Sequence, residues 1–487
     1  MFFGSDSYLR LEKQYRSMMM IDVTRCFDSI YSHAIGWATL GREASKTDTN
    51  HTNAICRRLD KLMQRSNNGI TNGIPIGAET SRVFAEIILQ SIDVEIEKEL
   101  LRNHQFSFKA EYVIQRYVDD YYIFANSESD CDTVAAVISK NLQAFNLHVN
   151  EGKKERFSRP FSTARSRITQ KAVGEIERLE SVLGDASEDG QPLEPKVKSR
   201  RKVVNEFVGR VREMCGDSDA DYSSVSSFLI GAFQKRVGRV CSTEYNDDFL
   251  RDNQLTLRNN LLVYVELSFY YFFADPQVSS SGRLARSIML ADRFIRSNLE
   301  GQLDFFRSFV SENIADLVKK LSNEGVPHTS NIEILNIILS SSEFGEHYLL
   351  PINLLKKATN FDGGLSYFEI ATILHYVKRH DVYSSIRIGL EQRLVVEVES
   401  NIERLPRSSE YAHLFLDSIG CPYLTVKSRK RILNKYLKHF EGGWFKLLSK
   451  NEKELMLDAL LERYWFVKWE GLDLVKVLER QELKSGY

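Results

Sequence analysis

From Tyr112 to Val118 and again from Tyr121 to Ala125 the residues are aromatic, β-branched or otherwise strand-favouring, and between them stands Asp119-Asp120. Two such runs joined at a carboxylate pair predict a β-hairpin with the acids at its tip. A pair of hard oxygen donors at the end of two strands is a place to hold a divalent metal ion. Asp also favours ordinary turns, because its side chain bonds its own backbone. The rest of the chain has to separate these two readings.

Upstream, Met18-Met19-Met20-Ile21-Asp22-Val23 predicts a strand that leaves a core and ends on an acid, followed by a turn into a helix reaching about Trp37. Asp22 precedes that helix by too much to cap it well, whereas Asp28 has the spacing of an ordinary cap. In Asn72-Gly73-Ile74-Pro75-Ile76-Gly77, two glycines and a proline impose a defined loop whose backbone can approach a ligand closely. A long helix is expected from Ser81 to about Leu101, since Val83, Phe84, Ile87, Ile88 and Ile92 recur at helical spacing. After the hairpin, a helix over 130–145, a short strand over 147–150 and a basic turn over 151–156 are predicted. This order gives an α+β class, an antiparallel sheet with helices packed on one face.

Composition limits the alternatives. The 487 residues exceed one average domain, and 43% hydrophobic with 27% charged residues describes a chain with ample core. A formal net charge of −1 gives no global electrostatic case for nucleic acid, so such binding has to rest on local patches. Cys26, Cys56, Cys131, Cys215, Cys241 and Cys421 form no C-x-x-C pair, which argues against a zinc site and for reduced thiols in a cytoplasmic protein. No signal-peptide layout is visible. The most apolar run, 261–274, is too short to span a bilayer and contains Glu266, so no membrane partner is expected.

Four pieces in order resemble the palm of a reverse transcriptase: Asp22 to Ile30 with Phe27, Gly73 to Gly77 with Ser81, Tyr117-Val118-Asp119-Asp120, and Asn150-Glu151-Gly152-Lys153. Within that family the likeness is to the abortive-infection enzymes of bacterial phage defence. Ile76 stands where intron and retroviral enzymes usually have Gln, and a long helical region follows the palm. The resemblance implies an RNA-directed DNA polymerase-type nucleotidyltransferase acting with two Mg²⁺ ions. It implies Asp22, Asp119 and Asp120 as catalytic metal ligands together with the Val23 carbonyl, and Lys153 at the leaving pyrophosphate. Phe27 would lie against the sugar and disfavour a 2′-hydroxyl. Gly73, Pro75 and Gly77 would lie along the nucleotide or template base. Deoxynucleoside triphosphates and single-stranded DNA product are the implied partners, with a bound RNA as template in a retron- or intron-like alternative. The abortive-infection likeness further implies synthesis without a template, started from a tyrosine hydroxyl; the 21 tyrosines leave the primer open. A bacterial cytoplasmic homo-oligomer is expected. Only 21 residues precede Asp22, which is too few for a fingers subdomain, so relatives are expected to carry an N-terminal portion beyond this chain. The corresponding alternative is a helical scaffold bearing an inactive palm.

An acidic, apolar-poor stretch ended by prolines marks a linker over 184–195, dividing a palm over 1–183 from an all-α, helical-repeat-like domain over 196–487. Helices are expected there at 196–214, 223–240, 256–274, 281–299, 302–322, 330–342, 366–379, 382–401, 427–440 and 452–479. Capping-box spacing marks Ser330 with Glu333 and Ser366 with Glu369. Basic stretches at 196–202 and 427–438 would track a DNA strand if they face the palm, and are otherwise solvated helix faces. Trp444, Trp465 and Trp469 read as core or subunit-interface anchors. His375 and His380 lack the spacing of a metal-hydrolase pair.

Overall fold

The computed structural model describes residues 5–47, 55–162, 164–184, 199–217, 221–323, 332–440 and 442–484. It divides into two compact units, the first ending at Thr163. The first unit contains α1 (Asp6–Gln14), β1 (Ser17–Asp22), α2 (Cys26–Ser29), α3 (Ala34–Leu40), α4 (Arg42–Thr47), α5 (Ile55–Ser66), α6 (Glu79–His104), β2 (Tyr112–Tyr117), β3 (Asp120–Ala125), α7 (Glu128–Ala144) and β4 (Glu155–Ser158). The four strands form one antiparallel sheet in the order β2-β3-β1-β4. Hydrophobic side chains on both faces fix the register, because a one-residue slip would exchange the faces. Met19, Ile21, Tyr121 and Ile123 share a core with Phe84, Ile88, Ile92 and Ile96 of α6 and Val134, Ile138 and Leu142 of α7. Met18, Val113 and Phe124 point the other way, onto Tyr8 of α1, Tyr15 and Phe161. The α+β class holds, and α1 adds a small cover over the second face, pinned by the Tyr8 hydroxyl donating to the Phe161 carbonyl at 2.7 Å.

Three local expectations need correction. The single helix expected from the turn after Asp22 to about Trp37 is broken into α2 and α3, because the Ile30–Ser32 backbone pairs with the Thr71–Gly73 loop instead. The segment 147–150 contributes one bridge, Val23 to Val149, rather than a strand. The expected basic turn becomes a single 3₁₀ turn over Glu151–Lys153, followed by the edge strand β4. Its sequence Glu-Arg-Phe-Ser buries little, which suits an edge that has to resist further pairing.

Among the described residues the second unit forms helices and no strand. Its first helix, α8 (Ala164–Leu183), inserts Ile168, Ala172, Ile176, Leu179 and Leu183 into the same core as the helices that follow. The division therefore falls before α8 rather than at the acidic stretch after it. Most of that stretch, and the Ser330 cap, lie outside the described residues. The Ser366–Glu369 capping box forms with both reciprocal bonds, and Ser449–Glu452 makes a second one. The continuous helix expected over 452–479 is instead two helices, Lys450–Leu461 and Leu474–Lys484. The chain between them is irregular: the Phe466 and Val467 N–H groups donate to the buried Asp417 carboxylate, and Trp469 is buried in the core. Trp444 and Trp465 are 44% and 37% exposed. Three of the six cations of the 427–438 stretch are engaged within the unit: Arg429 is buried and donates to the Ile419 carbonyl at 2.7 Å, Lys430 meets Asp458 at 2.8 Å and Arg431 meets Glu399 at 2.7 Å. No helix among the described residues is long and apolar enough to cross a membrane, and the six cysteines are free thiols.

His375 is 7% exposed, and neither ring nitrogen has a hydrogen-bond partner. Burial, with Lys378 nearby, holds its pKa down to about 4, against the opposing pull of Glu343. A depressed histidine pKa means that the unfolded chain binds the proton first. Its contribution to stability is full above about pH 6.5 and is lost as pH falls toward 4, a change of roughly 3 kcal/mol for a shift of this size. Urea melts at pH 7.5 and pH 5 should show about 2 kcal/mol of this loss, and His375→Leu should remove most of it.

Candidate active site

Asp22 closes β1 and Asp120 opens β3, and the two are direct partners in the antiparallel register. Directly opposed residues project to the same face of a sheet, so both carboxylates stand on one side of one sheet end. Asp119 precedes Asp120 in the hairpin loop, where its carbonyl accepts the Val23 N–H at 3.3 Å. The end of β1 is thus stitched to the hairpin tip beyond the last strand pair. On its other side, the Asn150 N–H donates to the Asp22 carbonyl and the Thr24 N–H to the His148 carbonyl, both at 2.8 Å.

The electrostatics fit a concentration of negative charge. Burial raises the Asp120 pKa, and the Asp119 and Asp22 charges raise it further, with Lys153 opposing them. The Cys26 thiol below is pushed up to about 12 by burial and then by Asp119. Lys153 places its ammonium 2.9 Å from Asp22 Oδ2 and stays 68% exposed. Its hydrogen bond to Asp22 raises its own pKa. Asn150 donates weakly to the same oxygen at 3.5 Å and accepts the Gly152 N–H at 3.2 Å, fixing the turn that carries Lys153.

The hairpin loop has an unusual backbone. Tyr117 pairs with Asp120, leaving Val118-Asp119 as a two-residue loop. Val118 has φ +55°, and Asp119 is not among the residues of positive φ. Positive φ at the first loop position alone is the pattern of a type II′ turn, in which glycine is the ordinary occupant. A β-branched residue there is strained.

The glycine loop is tied to the segment after Asp22. Gly73 N–H donates to the Ile30 carbonyl and Ile74 N–H to the Phe27 carbonyl, both at 2.9 Å. Gly73 has φ +84°, and a Cβ there would lie 3.1 Å from the Asp28 carbonyl oxygen, so the residue type follows from both backbone and space. Phe27 is half-buried against the helix-side core. Pro75 is half-exposed, while Gly77 and Ile76 are exposed, Ile76 by 75%. The sequence-derived set therefore falls into two groups: Asp22, Val23, Asp119, Asp120 and Lys153 at the sheet end, and Phe27 with Gly73 in the adjoining clamp. Pro75 and Gly77 continue that loop into solvent. Asn150 belongs with the first group; its place in Asn-x-x-Lys was the signal that could have found it.

Among the described residues, no group of three or more His, Cys, Asp or Glu side chains is placed so that it could hold a metal ion. Open carboxylate donors still suit Mg²⁺, which binds through one or two carboxylates and completes its shell with water and substrate phosphate.

Residues 3–177 match the model of the family described as reverse transcriptase (RNA-dependent DNA polymerase). This part of the chain carries a reverse-transcriptase domain, a class whose members generally use divalent metal ions. Comparison with curated proteins gives no match. Among solved structures, the telomerase of Candida albicans in complex with a TWJ fragment of telomeric RNA is similar at 11% identity and a TM-score of 0.25. The similarity covers 78% of this chain and 52% of that one, so the chain spans about half the telomerase's length. At that score the fold rests on the four-stranded sheet and the family match.

Proposed function

We propose that the chain is an RNA-directed DNA polymerase-type nucleotidyltransferase of phage defence, adding deoxynucleotides by metal-assisted phosphoryl transfer. The observation that carries this reading is the opposition of Asp22 and Asp120 on neighbouring strands, with Asp119 beside them. Asp22, Asp119, Asp120 and the Val23 carbonyl would hold Mg²⁺, which when bound stabilises charge on the attacking and leaving oxygens. Lys153, exposed and already beside Asp22, is within the site to neutralise or protonate the departing pyrophosphate. Phe27 would exclude a 2′-hydroxyl. The loop of Gly73, Pro75 and Gly77 would line the nucleotide or template base. The defence role, untemplated synthesis and tyrosine priming rest on the motif likeness to abortive-infection enzymes.

A second reading, a helical scaffold with an inactive palm, has one observation in its favour: the Lys153 ammonium already occupies Asp22. Purified protein with Mg²⁺ and labelled deoxynucleotides separates them. The expected product is DNA covalently attached to protein, made without added template and in preference to ribonucleotide polymer. A product that needs RNA selects the intron-like enzyme, and no incorporation with RNA or DNA supplied selects the scaffold.

A further inference from the structure

Arg116 is the penultimate residue of β2, two before the strained Val118, and its side chain is only 8% exposed. Its guanidinium uses nearly every direction available to it. Nη1 and Nη2 donate to the two oxygens of Glu86 at 2.9 and 2.8 Å, Nε donates to Asp93 at 2.9 Å, and Nη1 donates also to the Val118 carbonyl at 3.0 Å. Glu86 and Asp93 both lie on α6, and Asp93 also accepts from the Tyr121 hydroxyl at 3.2 Å. Burial works against the Arg116 charge, but the hydrogen bonds to Glu86 and Asp93 outweigh it and raise its pKa.

This arrangement exceeds what a structural ion pair requires. Two carboxylates from one helix would satisfy the charge, yet the fork also reaches the one carbonyl whose direction depends on the positive φ of Val118. A strained backbone persists only where its surroundings over-determine it. Here the surroundings are a planar donor array clamped to α6, a helix whose inner face is packed into the core. A lysine offers a point charge and cannot reproduce that geometry.

We propose that Arg116 is the positioning residue of the carboxylate turn: anchored on Glu86 and Asp93, it holds the Val118 carbonyl and so the backbone that presents Asp119 and Asp120. The catalytic consequence rests on the polymerase reading above; the structural one does not. Loosening the fork lets the loop leave its strained conformation, and the Asp119 carbonyl then lets go of the Val23 N–H.

Amide hydrogen exchange on the full chain tests this without reference to activity. Arg116→Lys should speed exchange at Val23 and across Val118–Asp120 at least tenfold, while amides of α6 from Ile87 to Ile92 and those of α7 keep their protection. Unchanged exchange at the turn overturns the proposal. A rise spread evenly over α6, α7 and the sheet also overturns it, because Arg116 would then be a general anchor. Should Arg116→Lys fail to fold, Glu86→Gln is read the same way, since it loosens the clamp and keeps the guanidinium charged. Where the wild type incorporates nucleotides, Arg116→Lys should lower kcat ten- to a hundredfold with KM within twofold, and Val118→Gly in the same chain should recover at least threefold of that loss. Absence of recovery overturns the strain-holding role. A wild type that incorporates nothing removes the polymerase reading and leaves the exchange result standing.

Discussion

Asp119→Asn should abolish nucleotide incorporation to within about a thousandth of the wild-type rate, while the protein melts no lower than the wild type. The size of the first effect is that of removing a preorganised electrostatic contact made to the developing charge of a transition state. The second follows from the site's own repulsion. Burial and then the charges of Asp119 and Asp22 raise the Asp120 pKa, so the folded state bears a cost whenever all three are ionised. Neutralising Asp119 removes part of that cost and keeps the backbone carbonyl that accepts the Val23 N–H. A gain of about 0.5–1 kcal/mol is expected, as for other functional residues held against stability. Incorporation assays and thermal melts on the same preparation check both halves. A variant that loses activity and melts well below the wild type would mean that Asp119 is a structural residue.

Gly73→Ala should cost about 1–3 kcal/mol and reduce incorporation by more than the lost stability explains. The left-handed φ of +84° penalises any side chain by roughly 1–2 kcal/mol. The new Cβ, 3.1 Å from the Asp28 carbonyl oxygen, adds a shift of the backbone it touches. That backbone carries Phe27, whose carbonyl accepts the Ile74 N–H one residue further along the loop. The displaced ring should widen nucleotide choice toward ribonucleotides as well as slow the reaction. Gly77→Ala is the control: its φ of +97° carries the same backbone penalty, but a Cβ there meets nothing within 4 Å. Denaturant melts separate the contact from the φ cost, and competition between deoxy- and ribonucleotides reads the displacement of Phe27.

Much of the site could be read from the sequence because its chemistry is local. The strand-favouring runs around Asp119-Asp120, the acid at the end of Met18–Ile21 and the doubled glycines at 73 and 77 each carry their own signal. The register that sets Asp22 opposite Asp120 carries none; it depends on two cores forming on opposite faces of the sheet. Arg116 escaped notice for a related reason. Within a strand-like run it looks like a polar outward residue, and only the packing of α6 brings Glu86 and Asp93 to it. The edge strand β4 lacks the apolar alternation that betrays a half-buried strand. In the helical region, a sequence rich in helix formers over 452–479 concealed a break made by the distant Asp417, which takes two backbone N–H groups that a helix would have used. The Ser449–Glu452 cap was visible in principle, since the spacing is the same as at Ser366 and Glu369.

The position of β1 between β3 and β4 bears on how this protein would lose activity. A strand bonded on both sides belongs to the most cooperative part of a sheet, and regions of that kind open only near the global unfolding free energy. Asp22 ends such a strand, and its partner Asp120 begins the next. Partial fraying of the exposed edge β4 can disturb the turn that carries Lys153, yet it leaves the Asp22–Asp120 opposition intact. Loss of the carboxylate geometry on heating should therefore be a single abrupt event that coincides with melting of the sheet, with no long-lived species that is folded at the strands but has parted Asp22 from Asp120.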